Sequence, residues 1–176
     1  MPEVVLLRGV NVGGHKTFRP SALAAELQHL DVVNIGAAGT FVVRRPVGHA
    51  TLRAEFARRL PFETGIVICR GRDIVRLMSH EVFSKHVIRP GVNPFVTVLS
   101  RSPRVAPSVP LQLPARGQWM VRILARENRF VVGEYRRHMK VIGYLGKLDD
   151  VFGAAVTTRG WNTFAAIVKV LEKGIE

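Results

Sequence analysis

Short apolar runs alternate with polar, glycine-containing segments in the N-terminal part of the chain. Val4–Leu7 and Ile66–Cys69 each contain four adjacent apolar residues, a pattern typical of strands that are buried on both faces. Val32–Ile35 and Thr40–Val43 are rich in β-branched residues and flank the segment Gly36–Gly39, so we expect them to form a hairpin. The pattern therefore predicts four strands in this part of the chain.

Apolar residues at helical spacing lie between these strands. Leucines recur every three or four residues through Pro20–Leu30, and proline suits the first turn of such a helix. His49–Leu60 likewise places Leu52 and Phe56 on one helical face, and a further short helix is predicted over Asp73–Met78. The resulting order of strand, helix, strand, strand, helix, strand is that of a ferredoxin-like, or split βαβ, unit.

The C-terminal part of the chain repeats this pattern less clearly. Phe95–Leu99 predicts a strand, and Trp119–Leu124 with Phe130–Tyr135 predicts a hairpin. Four prolines between residues 102 and 114 exclude a regular helix where the first helix of a ferredoxin-like unit would stand. The pattern further predicts an extended segment over residues 141–145, followed by a short helix over residues 148–152.

The last helix is predicted to begin at Thr157 or Thr158, because a threonine hydroxyl can accept a free N–H group of the first turn. Apolar residues then recur at helical spacing to the end of the chain. We therefore predict an α+β protein of two tandem ferredoxin-like units with antiparallel sheets, the second unit being degenerate. The first unit is expected over residues 1–79, a linker over 80–93 and the second unit over 94–176.

The composition limits the class of protein. Of the 176 residues, 47% are hydrophobic, which is enough to build a core. No stretch approaches the roughly 20 apolar residues of a membrane span, and no signal-peptide pattern is present, so we expect a cytoplasmic protein without membrane association. The single cysteine, Cys69, excludes an internal disulfide and a cysteine-based zinc site.

The chain is strongly basic. It contains 26 Lys and Arg residues against 13 Asp and Glu residues, for a formal net charge of +13. Such a charge attracts nucleic acids and phosphorylated ligands, although a GC-rich genome that favours arginine codons explains the same excess. Nonspecific nucleic-acid binding would use the clustered cations Arg44, Arg45, Arg58, Arg59, Arg136, Arg137 and Lys140.

A glycine-rich, basic segment follows the first strand. Its candidate residues for binding an anion are Arg8, Asn11, Gly13, Gly14 and Lys16. Backbone N–H groups in such a loop can surround an anion. The spacing is not that of a Walker A motif, because His15 separates the last glycine from the lysine. A tight turn out of an inner strand explains the glycines without any ligand.

A second segment near the C-terminus, Thr157–Thr163, combines hydroxyl groups with a cation and a predicted helix start. Its candidate ligand-binding residues are Thr158, Arg159 and Asn162. The positive end of a helix favours an anion at such a place, whereas ordinary helix capping, with Trp161 in the core, explains the segment without one. We expect the two segments to line one cleft.

These two segments also carry a resemblance to a known family. The sequence LLRGVNVGG over Leu6–Gly14 resembles the opening signature of domain-of-unknown-function family 1697, and TTRGWNT over Thr157–Thr163 resembles the closing T-x-R-N-W-N-T of that bacterial family. The resemblance extends over essentially the whole chain. It implies two ferredoxin-like units in tandem, and it implies no activity, while the cofactors stay unknown.

Two places differ from the pattern of the family. The turn that usually carries Q-S-G-N has the sequence AAGT over Ala37–Thr40, and Gly160 stands where the family has asparagine. The resemblance therefore implies that any family site that uses these polar side chains is altered in this chain.

The sequence shows little catalytic machinery. His80 and His86 are six residues apart, which is not the i, i+4 spacing of a helical zinc-binding pair. Asp149 and Asp150 are adjacent and would diverge on a helix, and no G-x-S-x-G motif is present. The sequence therefore identifies no catalytic residue, metal site or cofactor, and it leaves open whether the protein is an enzyme.

The leading hypothesis is a protein that binds an anionic or phosphorylated small ligand in a cleft between the glycine-rich loop and the segment Thr157–Thr163. The alternative is a nonspecific nucleic-acid-binding protein that uses its arginine clusters. A third hypothesis is assembly through the open edges of the sheets. The sequence does not determine the oligomeric state.

Overall fold

The chain forms two compact units. The computed structural model describes residues 1–81 and 89–174. The first unit contains Met1–Met78 and the residues from Ala165 onward, and the second contains Ser79–Phe164. The described residues of each unit form an antiparallel β-sheet, so the protein has a mixed α/β fold with two antiparallel sheets. Of the predicted linker over residues 80–93, residues 82–88 lie outside the described residues, and Val92 and Asn93 form the start of a strand.

The elements of the first unit follow the order predicted from the sequence. They are β1 (Glu3–Leu7), α1 (Pro20–Glu26) with a 3-10 turn (Gln28–Leu30), β2 (Val32–Ile35), β3 (Thr40–Val43), α2 (His49–Arg59), β4 (Ile66–Arg70) and α3 (Gly71–Met78). The strands lie in the order β2-β3-β1-β4, and each neighbouring pair is antiparallel. Val4, Val5, Leu6 and Leu7 are all fully buried, so both faces of β1 are covered, which explains why its apolar run is continuous.

One face of this sheet packs against α1 and α2. Val5 and Phe41 point from the sheet into a core that also contains Leu27 of α1 and Phe56 of α2. The rings of Phe41 and Phe56 meet edge to face, with centroids 5.2 Å apart. The apolar positions that predicted the helices are therefore the ones that attach them to the sheet.

The turn between β2 and β3 approaches the end of β1 very closely. Gly39 accepts a hydrogen bond of 2.8 Å from the Leu7 N–H group and has a φ of +81°. A Cβ atom at Gly39 would lie 2.7 Å from Val10 Cγ2 and 2.8 Å from Leu7 Cβ. Only glycine fits this position without displacing the beginning of the glycine-rich loop.

The second unit contains a five-stranded sheet among its described residues. Its elements are β5 (Val92–Leu99), β6 (Leu111–Leu113), β7 (Val121–Glu127), β8 (Phe130–Arg136), α4 (Val141–Leu145), α5 (Leu148–Phe152), β9 (Val156–Gly160) and α6 (Trp161–Glu172), which continues into the first unit. The strand order is β6-β7-β8-β5-β9. The predicted hairpin of β7 and β8 is confirmed, whereas β6 and β9 were not predicted.

The prediction of an extended segment over residues 141–145 is wrong, because this segment is helix α4. Val141, Tyr144 and Leu145 pack against the core of the second unit, while Ile142 is exposed. This i, i+3, i+4 spacing is that of a helical face, and the segment is too short for its periodicity to be distinguished from a strand by sequence.

The predicted helix start at Thr157 or Thr158 is also wrong. Both residues lie in β9, where Thr157 pairs with Val98 and Thr158 pairs with Thr97 of β5. The threonines therefore complete a sheet ladder, for which β-branched residues are well suited, and the helix begins only at Trp161.

Glu134 is an acidic residue buried in the second sheet. Its carboxylate accepts hydrogen bonds from Arg89 (2.8 Å to each oxygen) and from Arg122 (2.5 and 3.0 Å). Burial alone would raise the pKa of Glu134, but the hydrogen bonds from the two arginines outweigh it, and the pKa lies below the usual 4.5. Glu134 is therefore ionised in the folded protein at neutral pH, and its negative charge contacts the two arginines.

The close approach at Gly39 leads to a first prediction. Gly39→Ala should lower the free energy of unfolding by about 3 kcal/mol, because overpacking costs about 1–3 kcal/mol and the left-handed conformation about 1–2 kcal/mol. Gly36→Ala is the matched control, since Gly36 has a φ of +66° and no atom within 4 Å of the added Cβ. Urea denaturation measures both variants, and equal losses would show that the packing at Gly39 is unimportant.

The buried carboxylate leads to a second prediction. Glu134→Gln should destabilise the protein by about 2 kcal/mol, less than for a fully enclosed ion pair, because the side chains of Arg89 and Arg122 are 46% and 33% exposed. Because the folded-state pKa is lowered, the stabilisation is fully present above pH 4.5 and is lost as the pH falls through the folded-state pKa. Denaturation of both proteins as a function of pH should show their stabilities converging on acidification, and a constant difference would contradict this assignment.

Candidate functional site

The glycine-rich loop after β1 is a miniature hairpin. The Asn11 N–H group donates to the Lys16 carbonyl (3.1 Å), and the His15 N–H group donates to the Val12 carbonyl (2.9 Å). Gly13 and Gly14 form the turn between them, with φ values of +56° and +76°. Positive φ at both central residues defines a type I′ turn, for which two glycines are well suited. The tight turn expected from the sequence is therefore present.

Asn11 fastens this loop to the rest of the first unit. Its Nδ2 donates to the Ala37 carbonyl in the β2–β3 turn (2.8 Å), and its Oδ1 accepts from the Phe18 N–H group (2.9 Å). The partner at position 37 is a backbone oxygen, so the alanine at this position leaves the bond intact. Asn11, which we predicted to bind ligand, thus positions the loop.

The base of the loop is held in the same way. The Arg8 N–H group donates to the Gly65 carbonyl (2.9 Å), and the Thr64 hydroxyl donates to the Arg8 carbonyl. One backbone and one side-chain hydrogen bond thus attach the beginning of the loop to the segment before β4, while the Arg8 side chain itself is exposed. The result is a rigid support for exposed groups.

The groups at the surface of the loop are cationic or small. Gly13, Gly14, His15 and Lys16 are all exposed, as is the side chain of Arg8. The loop therefore presents backbone amides at its tip and positively charged side chains around it, which is the combination that attracts an anion.

The second predicted segment has a different character. The Thr158 hydroxyl forms a 2.6 Å hydrogen bond with the Thr97 hydroxyl, and Arg159 is 9% exposed and donates to the Thr158 carbonyl (3.0 Å). Burial lowers the pKa of Arg159 to about 10. Asn162, in the first turn of α6, is exposed. Two of the three predicted residues therefore have contacts inside the sheet of the second unit.

The two predicted segments belong to different units. Arg8–Lys16 lies in the first unit and Thr158–Asn162 in the second. A cleft that both segments line therefore stays a prediction from the sequence.

The cations predicted to bind nucleic acid fall into two groups. Arg58 and Arg59 are ion-paired with the Glu55 carboxylate at 2.5 and 2.7 Å on the same helix. Arg136 donates from Nε to the Trp119 carbonyl (2.8 Å), and Arg44 is half-buried. The side chains of Arg45, Arg137 and Lys140 are exposed. The structure therefore leaves the last three as the better candidates for contact with phosphate groups.

Trp119 was not predicted to contact these cations. The guanidinium carbons of Arg122 and Arg136 lie 4.0 and 4.1 Å from the centroid of its ring, which places both within the range of cation–π attraction. Arg122 is also a partner of Glu134. The residues come from β7, β8 and the segment before β7, so their sequence spacing carries no signal of the cluster.

Two further classes of site are not seen in the described residues. Within residues 1–81 and 89–174, no group of three or more His, Cys, Asp or Glu side chains is placed to hold a metal ion. Over the same ranges, no helix is long and apolar enough to cross a membrane.

Comparisons with known proteins give a fold and a family. No curated protein matches the sequence. A solved structure of a conserved bacterial protein, SP0830 from Streptococcus pneumoniae, is similar over 97% of this chain and 98% of its own, with a TM-score of 0.63 and 16% identity. At that identity the likeness shows the fold alone. The model of a family described as "Protein of unknown function (DUF1697)" matches residues 1–127, which include the opening signature but not Thr157–Thr163. The chain therefore belongs to the DUF1697 family, as the resemblance of its first strand and loop predicted.

Proposed function

We propose that the protein binds a small anionic ligand, of the phosphate or phosphorylated class, at the glycine-rich loop of the first unit. The observation that carries this proposal is the exposed Gly13–Gly14 turn surrounded by the exposed side chains of Arg8, His15 and Lys16. Backbone amides supply directed donors, and the side chains supply charge.

The rigidity of the loop supports the same proposal. The two side-chain hydrogen bonds of Asn11 and the backbone bonds at Arg8 and Lys16 hold the loop in place without a ligand. Because the loop is already ordered, an anion would not have to offset the entropy of folding it. The same charged groups are exposed, so we expect binding to weaken as salt is added.

We also propose that both units are ferredoxin-like. In the first unit, the element order β1-α1-β2-β3-α2-β4 and the strand order β2-β3-β1-β4 support this assignment. In the second unit, β7-β8-β5-β9 repeats that strand order, with β5 taking the place of β1. The short strand β6 stands where a first helix would be expected, next to β7 at the edge of the sheet.

A second candidate function is nonspecific binding of nucleic acid by the second unit. The exposed side chains of Arg137 and Lys140 follow Arg136, which is stacked on Trp119. Exposed cations attract the phosphate groups of a nucleic acid whatever its base sequence. This candidate needs no contribution from the paired cations Arg58 and Arg59.

Anion binding is tested with ribose 5-phosphate and inorganic phosphate as probes. A ligand held by the folded protein raises the melting temperature, so we expect a saturable increase with the wild-type chain. Lys16→Gln and Arg8→Gln should each weaken the apparent affinity by about fivefold, which corresponds to about 1 kcal/mol for an exposed charged contact. Isothermal titration calorimetry gives the affinities directly.

Arg72→Gln serves as the matched control, since it removes an exposed cation elsewhere in the first unit. It should leave the affinity unchanged. Equal weakening by Arg72→Gln and Lys16→Gln would show that only the net charge matters and would contradict a site at the loop.

Nucleic-acid binding is tested by gel shift with a single-stranded oligonucleotide at low salt. The double variant Arg137→Gln/Lys140→Gln should weaken binding by about tenfold and make the salt dependence less steep, because fewer counterions are released. Arg58→Gln is the control and should change neither quantity. Absence of any shift at low salt would eliminate this candidate.

A further inference from the structure

A groove of about 360 Å³ lies at the end of the sheet of the second unit. It is formed where β8 and β9 end and β5 begins. Its wall carries the aromatic residues Tyr135 and Trp161, the amides Asn93 and Asn162, and Gly160. The remaining lining residues are apolar and belong to the start of β5. The volume falls within the range of small-molecule sites.

The groove exists because of where the Phe95 side chain is placed. Phe95 of β5 stands between two glycines, pairing with Gly133 of β8 on one side and Gly160 of β9 on the other. A Cβ atom at Gly133 would lie 2.6 Å from Phe95 Cζ, so the ring covers that side. No atom lies within 4 Å of the Cβ position at Gly160. The space on the β9 side is therefore left open.

The aromatic wall is held in place by the core. The rings of Tyr135 and Phe95 have centroids 5.9 Å apart and are tilted by 38°. Tyr135 pairs directly with Asn93 across the two strands, which places the amide beside the aromatic ring. Gly160, without a side chain, leads directly into Trp161. A ring and an amide therefore come from each side of the groove.

We propose that this groove binds the heteroaromatic ring of a nucleobase. A flat ring stacks on aromatic side chains, and its edge carries the alternating donors and acceptors that a carboxamide can match. None of the residues that line the groove is charged, so a ligand recognised by charge would find no counterion in the wall. A purely aliphatic ligand would leave the amides of Asn93 and Asn162 without partners.

The same chemistry is presented by a free nucleoside and by a base at the end of a single strand. Both are therefore included in the test as separate arms, adenosine and cytidine on one side and a short oligoadenylate on the other. Adenosine and cytidine carry no phosphate group, so their arm does not depend on the anion-binding loop of the first unit, and Gly160→Leu distinguishes the groove from the loop in the oligoadenylate arm.

Tryptophan fluorescence provides the measurement. The chain has two tryptophans, so in the Trp119→Phe variant the emission comes from Trp161 in the groove. We expect a saturable change of this emission when adenosine or cytidine is added. The melting temperature and far-UV circular dichroism of this variant verify that it is folded, and equilibrium dialysis of adenosine with the wild-type chain provides a second readout without any substitution.

Gly160→Leu is the variant that tests the position. The open Cβ position lets the side chain enter the groove without a clash, so the protein should fold while nucleoside affinity falls at least about tenfold. Gly143→Leu is the matched control, because Gly143 in α4 also has no atom within 4 Å of an added Cβ. Asn162→Ala should weaken binding several-fold. Unchanged affinity in Gly160→Leu would overturn the proposal.

The remaining outcomes are also decisive. Binding of oligoadenylate but not of nucleosides, if abolished by Gly160→Leu, would support the groove with a single strand as its source. No saturable binding in either arm would overturn it. Ribose 5-phosphate has no base, so its binding reports only on the loop, and failure of the groove is thereby distinguished from failure of the proposed anion site.

Discussion

Close packing against glycine is the constraint on which the geometry of both candidate sites depends. At Gly39, the atoms of Leu7 and Val10 occupy the space of a side chain and bring the β2–β3 turn against the beginning of the glycine-rich loop. At Gly133, the ring of Phe95 occupies that space. Interiors are packed too densely to absorb an extra methyl group at such points without movement. The same two contacts therefore determine where the loop is held and where the groove opens.

Part of the positive charge of the chain is paired with carboxylates or buried. Glu55 forms ion pairs with Arg58 and Arg59. Glu134 forms ion pairs with Arg89 and Arg122. Arg159 is buried in the second sheet, and this burial lowers the pKa of its guanidinium group. The net charge of +13 already subtracts the two glutamates, so most of the excess positive charge lies on other, exposed side chains. The exposed cations are spread over both units, and they include Arg8 and Lys16 at the loop after β1 and Arg137 and Lys140 in the turn after β8.

The sequence predicted the first unit well because its strands are continuous apolar runs and its helices have regular leucine spacing. It failed where local pattern and tertiary pairing disagree. Residues 141–145 are too short for their periodicity to be decisive, and Thr157 and Thr158 are suited equally to a helix cap and to a strand. The loop could be found from its glycines and cations. The groove could not, because Asn93, Tyr135 and Trp161 meet only through strand pairing.

The helix that ends the described chain has a further consequence for the order of events during synthesis. From Ala165 onward α6 belongs to the first unit, and Leu171 lies so close to Gly71 that an added Cβ there would be 2.8 Å from its Cδ2 atom. A ribosome makes β1 to α3 first and this helix only after the second unit. Until the second unit has been translated, the nascent first unit therefore lacks this helix, and the apolar surface beside α3 stays uncovered.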